Sequence, residues 1–194
     1  MTGLYDRQWV ERFYDEYGDK EWHRLVSDPV GEVKLYVHRH YLEKYVGKGD
    51  RVLEIGAGPG RFTQILAEIG ATVVIADVSN AQLELNRKYA TELGFDHAVE
   101  QRLQLDMCDM SALDDGQFDV VVCYGGPLSY VFEQRDCAVA EVLRVLEPSG
   151  VALFGVMSLW GGIHEYLTGV LKLSVEINEP IVRSGDLCPE NFPD

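Results

Sequence analysis

The segment Arg51–Gly60, RVLEIGAGPG, joins an apolar run to a glycine-rich turn, a pattern suited to binding a nucleotide. The apolar run predicts a buried strand, and Gly56, Gly58 and Gly60 allow the backbone to bend sharply and approach a ligand closely. Apolar residues at helical spacing follow and end at Gly70. Strand, turn and helix together predict a nucleotide site.

A carboxylate follows at the distance at which nucleotide-binding units place one. Thr72–Asp77, TVVIAD, predicts the next buried strand, and Asp77 ends it about 20 residues after Gly56. A carboxylate can accept hydrogen bonds from two neighbouring ribose hydroxyls, and it repels a 2′-phosphate. We therefore expect Asp77 to bind an unphosphorylated ribose. The alternative is an Asp that only begins a turn.

The glycine spacing separates two classes of nucleotide-binding protein. The dinucleotide fingerprint requires a third glycine where this chain has Arg61. The spacing GxGxG, with Glu54 two positions before the first glycine, instead resembles motif I of class I S-adenosylmethionine-dependent methyltransferases. The resemblance runs from about Tyr41 to Met157. It implies a Rossmann-like fold, S-adenosylmethionine as cofactor, S-adenosylhomocysteine as product, and in-line methyl transfer to a small-molecule acceptor.

The same resemblance implies which residues bind the cofactor. In the family, an acid after the third strand accepts from the adenine amino group, and Asp106 with Met107 matches that place; Asp109 is the competing candidate. Backbone after the fourth strand holds the methionyl amino group, and Tyr124 with Gly125 matches it. The full set of predicted cofactor-binding residues is Glu54, Gly56, Ala57, Gly58, Gly60, Asp77, Val78, Asp106, Met107, Tyr124 and Gly125.

Few residues qualify as catalytic groups. A sulfonium already activates its methyl group, so a general base is needed only when the acceptor arrives protonated. His164 and Glu165 are candidates, with a solvated helix face as the alternative reading. Tyr14 and Tyr17 could place a ring against the sulfonium, with helix packing as the alternative. Pro127 is interpreted as a turn residue.

Composition narrows the classes of partner. The chain has 194 residues and a formal net charge of −15, which disfavours binding to a nucleic-acid backbone. Cys108, Cys123, Cys137 and Cys188 are scattered without metal-ligand spacing, so no metal site is predicted. The sequence contains no apolar window long enough for a membrane span, so we expect a cytoplasmic protein that does not bind membranes.

Strand and helix signals alternate along the chain and predict an α/β fold. The expected arrangement is a doubly wound, mostly parallel sheet with strand order 3-2-1-4-5. Ser79 and Gln82 form a capping-box pair before a helix, and Pro148–Gly150 is predicted to turn the chain into the fifth strand. The predicted strands are Arg51–Ile55, Thr72–Asp77, Val99–Leu105, Phe118–Tyr124 and Val151–Met157.

We predict a single domain with three parts. An aromatic-rich helical cap, residues 1–46, is expected to lie over the cleft of a nucleotide-binding core, residues 47–157. The C-terminal segment, 158–194, departs from the family because its predicted helix, Trp160–Leu173, and possible strand, Leu173–Ile177, are too little for the usual last two strands. We expect the resulting free edge of the fifth strand to be covered by this segment or by a second copy in a homodimer.

Two other functions fit the same sequence features. A Rossmann-fold NAD-dependent oxidoreductase uses the same sheet and a ribose-binding acid, although Arg61 and the long aromatic segment argue against it. A non-catalytic S-adenosylmethionine-binding protein would account for the short C-terminal segment. Fold alone does not identify the acceptor, because acceptor-binding sites are built from variable caps.

Overall fold

The computed structural model describes residues 4–158, 160–161, 169 and 172–184. Within them, five strands form one parallel sheet in the order β3-β2-β1-β4-β5, which confirms the predicted topology. The strands are β1 Arg51–Ile55, β2 Thr72–Asp77, β3 Val99–Gln104, β4 Phe118–Cys123 and β5 Leu146–Phe154. The helices are α1 Arg7–Tyr17, α2 Lys20–His23, α3 Pro29–Tyr45, α4 Arg61–Ile69, α5 Asn80–Leu93, α6 Pro127–Tyr130, α7 Arg135–Val145 and α8 Val175–Ser184.

The sheet is covered on both faces, which explains its near-continuous apolar strands. On one face, Leu53 and Val121 are fully buried in a core that α7 completes with Ala138. On the other face, Val52 is fully buried in a second core with Leu42 from α3. Because alternate residues of the same strands enter the two cores, a one-residue slip in register would move each side chain into the opposite core and disrupt the packing of both.

The fifth strand begins earlier than predicted. Leu146 already pairs with Phe118, and the register shifts before the next pair, Val120 with Val151. The segment Pro148–Gly150 therefore lies within β5 as an irregularity of the ladder and does not form the predicted turn before it. Between these two pairs β4 advances by two residues and β5 by five, so the irregularity absorbs three extra residues of β5.

The N-terminal segment forms the predicted helical cap, and polar side chains attach it to the start of α5. Ser79 caps that helix by accepting from the backbone N–H of Gln82 at 3.1 Å, and its hydroxyl donates to Asp15 of α1. The Gln82 side chain donates to the carbonyl oxygens of Tyr14 and Gly18 at 2.8 and 3.1 Å. The Gln82 side chain therefore bonds to the cap. In a full capping box it would instead bond to the backbone N–H of Ser79.

The C-terminal segment differs from the prediction. Val175–Ser184 is a helix, so the possible strand at Leu173–Ile177 is wrong; the Asn178 N–H donates to the Ser174 carbonyl at 3.0 Å and closes a helical turn. Most of the predicted helix from Trp160 to Leu173 lies outside the described residues. None of the described helices is long and apolar enough to cross a membrane. Pairing of β5 with a second copy stays a prediction.

Candidate active site

A cavity opens at the carboxyl ends of the parallel strands, where open α/β sheets bind ligands. Residues of the sheet and its loops form one side, which we call the core wall: Ile55, Gly56, Gly58, Asp77, Val78, Leu105, Asp106, Met107, Tyr124, Gly125, Pro127, Tyr130 and Val131. Residues of the N-terminal segment form the other side, which we call the cap wall: Tyr5, Val10, Tyr14 and Glu21.

The positions of the turn require glycine for different structural reasons. Gly56 has φ +65°, and a Cβ there would lie 2.3 Å from Cγ of Pro127. Gly60 has φ +98°, and a Cβ would lie 2.6 Å from Nδ2 of Asn86. Packing within the protein thus requires both glycines, whereas Gly58 lines the cavity with its amide bonded to Asp77. Pro127, interpreted from sequence as a turn residue, also lines the cavity.

Asp77 is nearly buried and is held by two backbone amides. Its Oδ2 accepts from the Gly58 N–H and its Oδ1 from the Ser79 N–H, each at 2.9 Å. Burial raises the pKa of Asp77 to about 6, against the lowering effect of these two bonds. The group is therefore a carboxylate at neutral pH. Each oxygen keeps lone-pair capacity for a further donor from the cavity.

Glu54, Ala57 and Gly60 are predicted cofactor-binding residues that do not line the cavity. Glu54 is 1% exposed and accepts from the Thr63 hydroxyl at 2.6 Å. Burial raises the pKa of Glu54 to about 8, which favours its neutral form at pH 7. Asn86 donates to the same hydroxyl at 3.3 Å, so this buried chain supports the turn from beneath.

Asp106 and its competitor Asp109 are separated by the structure. Asp106 lines the cavity and accepts from the Tyr5 hydroxyl and the Cys108 N–H, both at 2.8 Å. Asp109 is exposed and accepts from the Ser111 N–H at 3.2 Å, which holds a local turn. Of the two, only Asp106 is brought to the cavity.

The two candidate catalytic residues that the structure describes, Tyr14 and Tyr17, lie in different places. Tyr14 lines the cavity, with its ring nearly perpendicular to that of Tyr130 at a centroid separation of 6.0 Å. Tyr17 is absent from the lining and stacks on Phe13 at 5.8 Å. His164 and Glu165 lie outside the described residues.

Sequence reasoning missed a partly buried ion pair in the cap. Nε of Arg24 donates to both carboxylate oxygens of Glu21 at 2.9 and 2.8 Å, and Nη2 donates to Oε1 at 2.6 Å. Glu21 lines the cavity, and Nη2 of Arg24 lies 3.4 Å from the position that a Cβ would occupy at Gly125. An acid and a base three residues apart look like a common helix-surface pair, so only the fold reveals their place.

Arg61, which breaks the dinucleotide fingerprint, faces the cap and not the cavity. Its guanidinium lies 3.7 Å from the centroid of the Trp22 ring, and Nη2 donates to the Trp22 carbonyl at 2.6 Å. Trp22 in turn stacks on Tyr89 of α5 at 4.1 Å, and the Tyr89 hydroxyl bonds to Asp19. As a result, the acidic side chains of the lining are the carboxyl groups of Asp77, Asp106 and Glu21, and the described residues that line it include no Lys, Arg or His.

Known proteins resemble this chain in sequence and in fold. The demethylmenaquinone methyltransferase of Clavibacter sepedonicus is 40% identical over 102 residues, 53% of this chain and 39% of that protein. The ubiquinone biosynthesis O-methyltransferase of Pasteurella multocida (strain Pm70) is 29% identical over 167 residues, 79% of this chain and 65% of that protein. The chain therefore spans less than two thirds of the length of either curated relative.

Among solved structures, the cyclase SpnF matches with a TM-score of 0.67 at 21% identity, covering 78% of this chain and 60% of that chain. At this identity the match shows the fold alone. The sequence profile of the family described as "Methyltransferase domain" matches residues 52–150, which is just over half of the chain and includes both the glycine turn and Asp77. The chain belongs to this methyltransferase domain family.

Proposed function

We propose that this protein binds S-adenosylmethionine in the cavity and transfers its methyl group to a small-molecule acceptor. One observation supports the proposal: a buried carboxylate, Asp77, is fixed beside the Gly56–Gly58 turn in a cavity whose described lining contains carboxyl groups and no Lys, Arg or His. Such a site suits a ligand with a vicinal diol and a positive charge.

The residues present fit this cofactor. Asp77 would accept from the ribose hydroxyls, since both of its oxygens are fixed by amides and keep free lone pairs. Val78, Asp106 and Met107 would surround the adenine at the ends of β2 and β3. The amino-acid end of the ligand would then lie toward Gly125, after β4. Glu54, Ala57 and Gly60 would act on the shape of the turn.

The charge of the lining supports this cofactor over a nicotinamide dinucleotide. A pyrophosphate carries two negative charges and would face Asp77 and Asp106 with no cationic side chain in the lining, since Arg24, which pairs with Glu21, is not part of it. A sulfonium cation is attracted by the same carboxylates and by the faces of aromatic rings such as Tyr14 and Tyr130. The oxidoreductase alternative is therefore not favoured.

The chain's contribution to catalysis would be positioning and the exclusion of water. When bound, S-adenosylmethionine supplies a methyl group that its sulfonium charge already activates. Holding an acceptor in line with a reacting group can contribute about 7 to 11 kcal/mol. Val10 and Tyr14 of the cap wall would exclude water from the acceptor side. The two relatives are named for quinone-related methylations, which supports a small organic molecule as the acceptor class.

Calorimetric titration with S-adenosylhomocysteine tests the binding site. We expect Asp77→Ala to weaken binding at least tenfold, because it removes an ionised hydrogen-bond acceptor. Asp109→Ala is the matched control and should bind like the wild type, since Asp109 is exposed and outside the lining. Equal affinity of the Asp77 variant and the wild type would reject the site.

A second measurement separates an enzyme from a binding protein. The wild type is incubated with S-adenosylmethionine carrying a labelled methyl group and a metabolite extract, and labelled products are separated by chromatography. Transfer of label to a small molecule is the expected result. Tight binding without transfer to any acceptor would favour the non-catalytic alternative.

A further inference from the structure

We infer that Cys108 and Cys137 form a redox-sensitive thiol pair, which a disulfide-class oxidant such as oxidised glutathione closes into a disulfide. The crosslink would join the loop after β3, residues 105–110, to the first turn of α7. The pair itself is independent of the proposed function. Its effect on ligand binding rests on the proposed function, because the loop carries Asp106 and Met107 at the adenine end of the cavity.

The two cysteines are in contact although they lie 29 residues apart along the chain. The Cys137 thiol donates to the Cys108 carbonyl oxygen, with Sγ and the oxygen 3.3 Å apart. With standard backbone dimensions, this contact places Sγ of Cys137 at most about 6 Å from Cα of Cys108. One turn further along α7, Glu141 accepts from the Met110 N–H at 2.9 Å, which fixes the helix against the loop.

This arrangement allows a disulfide to form. A disulfide places its two Cα atoms about 4 to 7 Å apart, so rotation of both side chains and a small shift of the loop would close the pair. Cys123, the third cysteine that the structure describes, is fully buried in the sheet and is not reached by an oxidant in solution.

The two thiols differ in exposure, which determines the order in which they react. Cys137 is exposed, whereas Cys108 is partly buried. Burial and the adjacent Asp106 raise the pKa of Cys108 to about 12, so this thiol keeps its proton at neutral pH. Cys137 therefore reacts first with an oxidant, and Cys108 closes the pair. Redox-sensing cysteines are often accessible and have a second thiol beside them in this way.

The chemistry consists of two thiol–disulfide exchanges. The Cys137 thiolate attacks one sulfur of oxidised glutathione, which forms a mixed disulfide and releases one glutathione. Sγ of Cys108 then attacks Sγ of Cys137 and breaks the mixed disulfide. The Cys108 proton goes to the second departing glutathione, and Asp106, which lies beside this thiol, can accept it during the transfer. Two protein thiols are thereby oxidised to one disulfide, and oxidised glutathione is reduced to two molecules of glutathione.

The crosslink would change how Asp106 is held. Oδ1 of Asp106 accepts from the Cys108 N–H, and Oδ2 accepts from the Tyr5 hydroxyl, both at 2.8 Å. Drawing Cys108 toward α7 displaces the amide that holds this carboxylate, and it also moves Met107, which lines the same end of the cavity. We therefore expect the oxidised protein to bind S-adenosylhomocysteine about 2- to 10-fold more weakly, the equivalent of about one hydrogen bond.

The test combines mass spectrometry with calorimetric titration. The protein is incubated with oxidised glutathione and digested without reduction. We expect a peptide that contains Cys108 to be joined to one that contains Cys137, with a mass two hydrogens below the sum of the reduced peptides. The same oxidised protein should bind S-adenosylhomocysteine about 2- to 10-fold more weakly than the reduced protein. Dithiothreitol should restore the affinity.

Two serine variants isolate the pair. Cys137→Ser removes the exposed thiol, so its affinity for S-adenosylhomocysteine should match that of the reduced wild type with or without oxidant. Cys188→Ser, at the fourth cysteine of the sequence, is the matched control and should respond to the oxidant as the wild type does.

Absence of a link between Cys108 and Cys137 would overturn the inference, and so would a mixed disulfide that persists at Cys137 or a link from Cys137 to Cys188. A link that leaves the affinity unchanged would overturn the effect on the cavity. A reduced wild type that does not bind S-adenosylhomocysteine would overturn the proposed function, whereas the linked peptides would still be detected. The two failures are therefore distinguishable.

Discussion

The two walls of the cavity are built in different ways. The core wall consists of strand ends and turns whose backbone positions are fixed by a buried parallel sheet, as at Gly56 and Asp77. The cap wall consists of side chains such as Tyr14 and Glu21, carried on short helices attached by hydrogen bonds and one aromatic stack. We therefore expect substitutions in the core wall to act on global stability and on ligand binding together. Substitutions in the cap should act on local opening and selectivity.

The strongest test of this contrast is Gly56→Ala in the core wall. Its positive φ and the 2.3 Å approach of its Cβ to Pro127 are both unfavourable. Strain of about 1 kcal/mol and overpacking of about 1 to 3 kcal/mol together predict a loss of about 2 to 4 kcal/mol in the free energy of unfolding. Urea unfolding measures it.

Gly49→Ala is the control that measures the cost of a positive φ without a steric contact. Gly49 has φ +93°, and a Cβ there would meet nothing within 4 Å. We expect this variant to lose only about 1 kcal/mol. Equal losses in the two variants would show that the contact between the β1 turn and Pro127 contributes little.

The next effect is the pH dependence of ligand binding, which we assign to Asp77 in the core wall. Its pKa is raised to about 6, mainly by burial. Because the protonated form loses an ionised acceptor, affinity for S-adenosylhomocysteine should fall as pH decreases through 6, by up to about tenfold per unit. Calorimetry between pH 5 and 7 measures it. Asp77→Asn should remove this dependence, and a flat wild-type profile would contradict the assignment.

The same titration should affect folding stability with the opposite sign. The folded-state pKa of Asp77 lies above its ordinary value of 3.8, so the folded protein holds this proton more tightly than the unfolded chain. Its contribution to stability is complete below pH 3.8 and decreases as pH rises through 6. Ligand-free and ligand-bound protein should therefore respond to this group in opposite directions.

The smallest of the three effects is expected in the cap. Tyr89→Ala removes one ring from the stack on Trp22, an interaction of about 0.5 to 1.5 kcal/mol. Hydrogen exchange across residues 7–23 should accelerate about two- to tenfold, with little change in the core strands. Tyr89→Phe keeps the ring and loses only the bond to Asp19, so its effect should be smaller. Equal acceleration in both variants would show that the hydroxyl, and not the ring, fastens the cap.

The predictable part of the molecule is the part that the backbone determines. Buried runs such as Val120–Val122 identify strands, and glycine spacing identifies the turn, so strand order and the juxtaposition of Gly58 with Asp77 follow from local sequence. The start of β5 was misplaced because Pro148–Gly150 has the composition of a turn and is absorbed as a ladder irregularity.

The cap contacts could not be predicted in the same way. Tyr5 reaches the cavity by bonding to Asp106, which lies far away along the chain. Glu21 and Arg24 form a local pair, and only the fold brings it beside Gly58 and Gly125. No periodicity in the sequence marks these positions. Arg61 shows the difference clearly. Its departure from the dinucleotide spacing was visible in the sequence, whereas its contact with Trp22 required the folded structure.

The Gln82 side chain donates hydrogen bonds to two main-chain carbonyls, that of Tyr14 in α1 and that of Gly18 just after the helix. Hydrogen bonds to the main chain do not depend on which side chains the helix carries. The exposed Trp9 and Phe13 positions are therefore free to be randomised in a directed-evolution library without loosening this anchor. The outward-facing side chains of the cap can thus vary while the bonds from Gln82 that attach the cap to the rest of the domain stay the same.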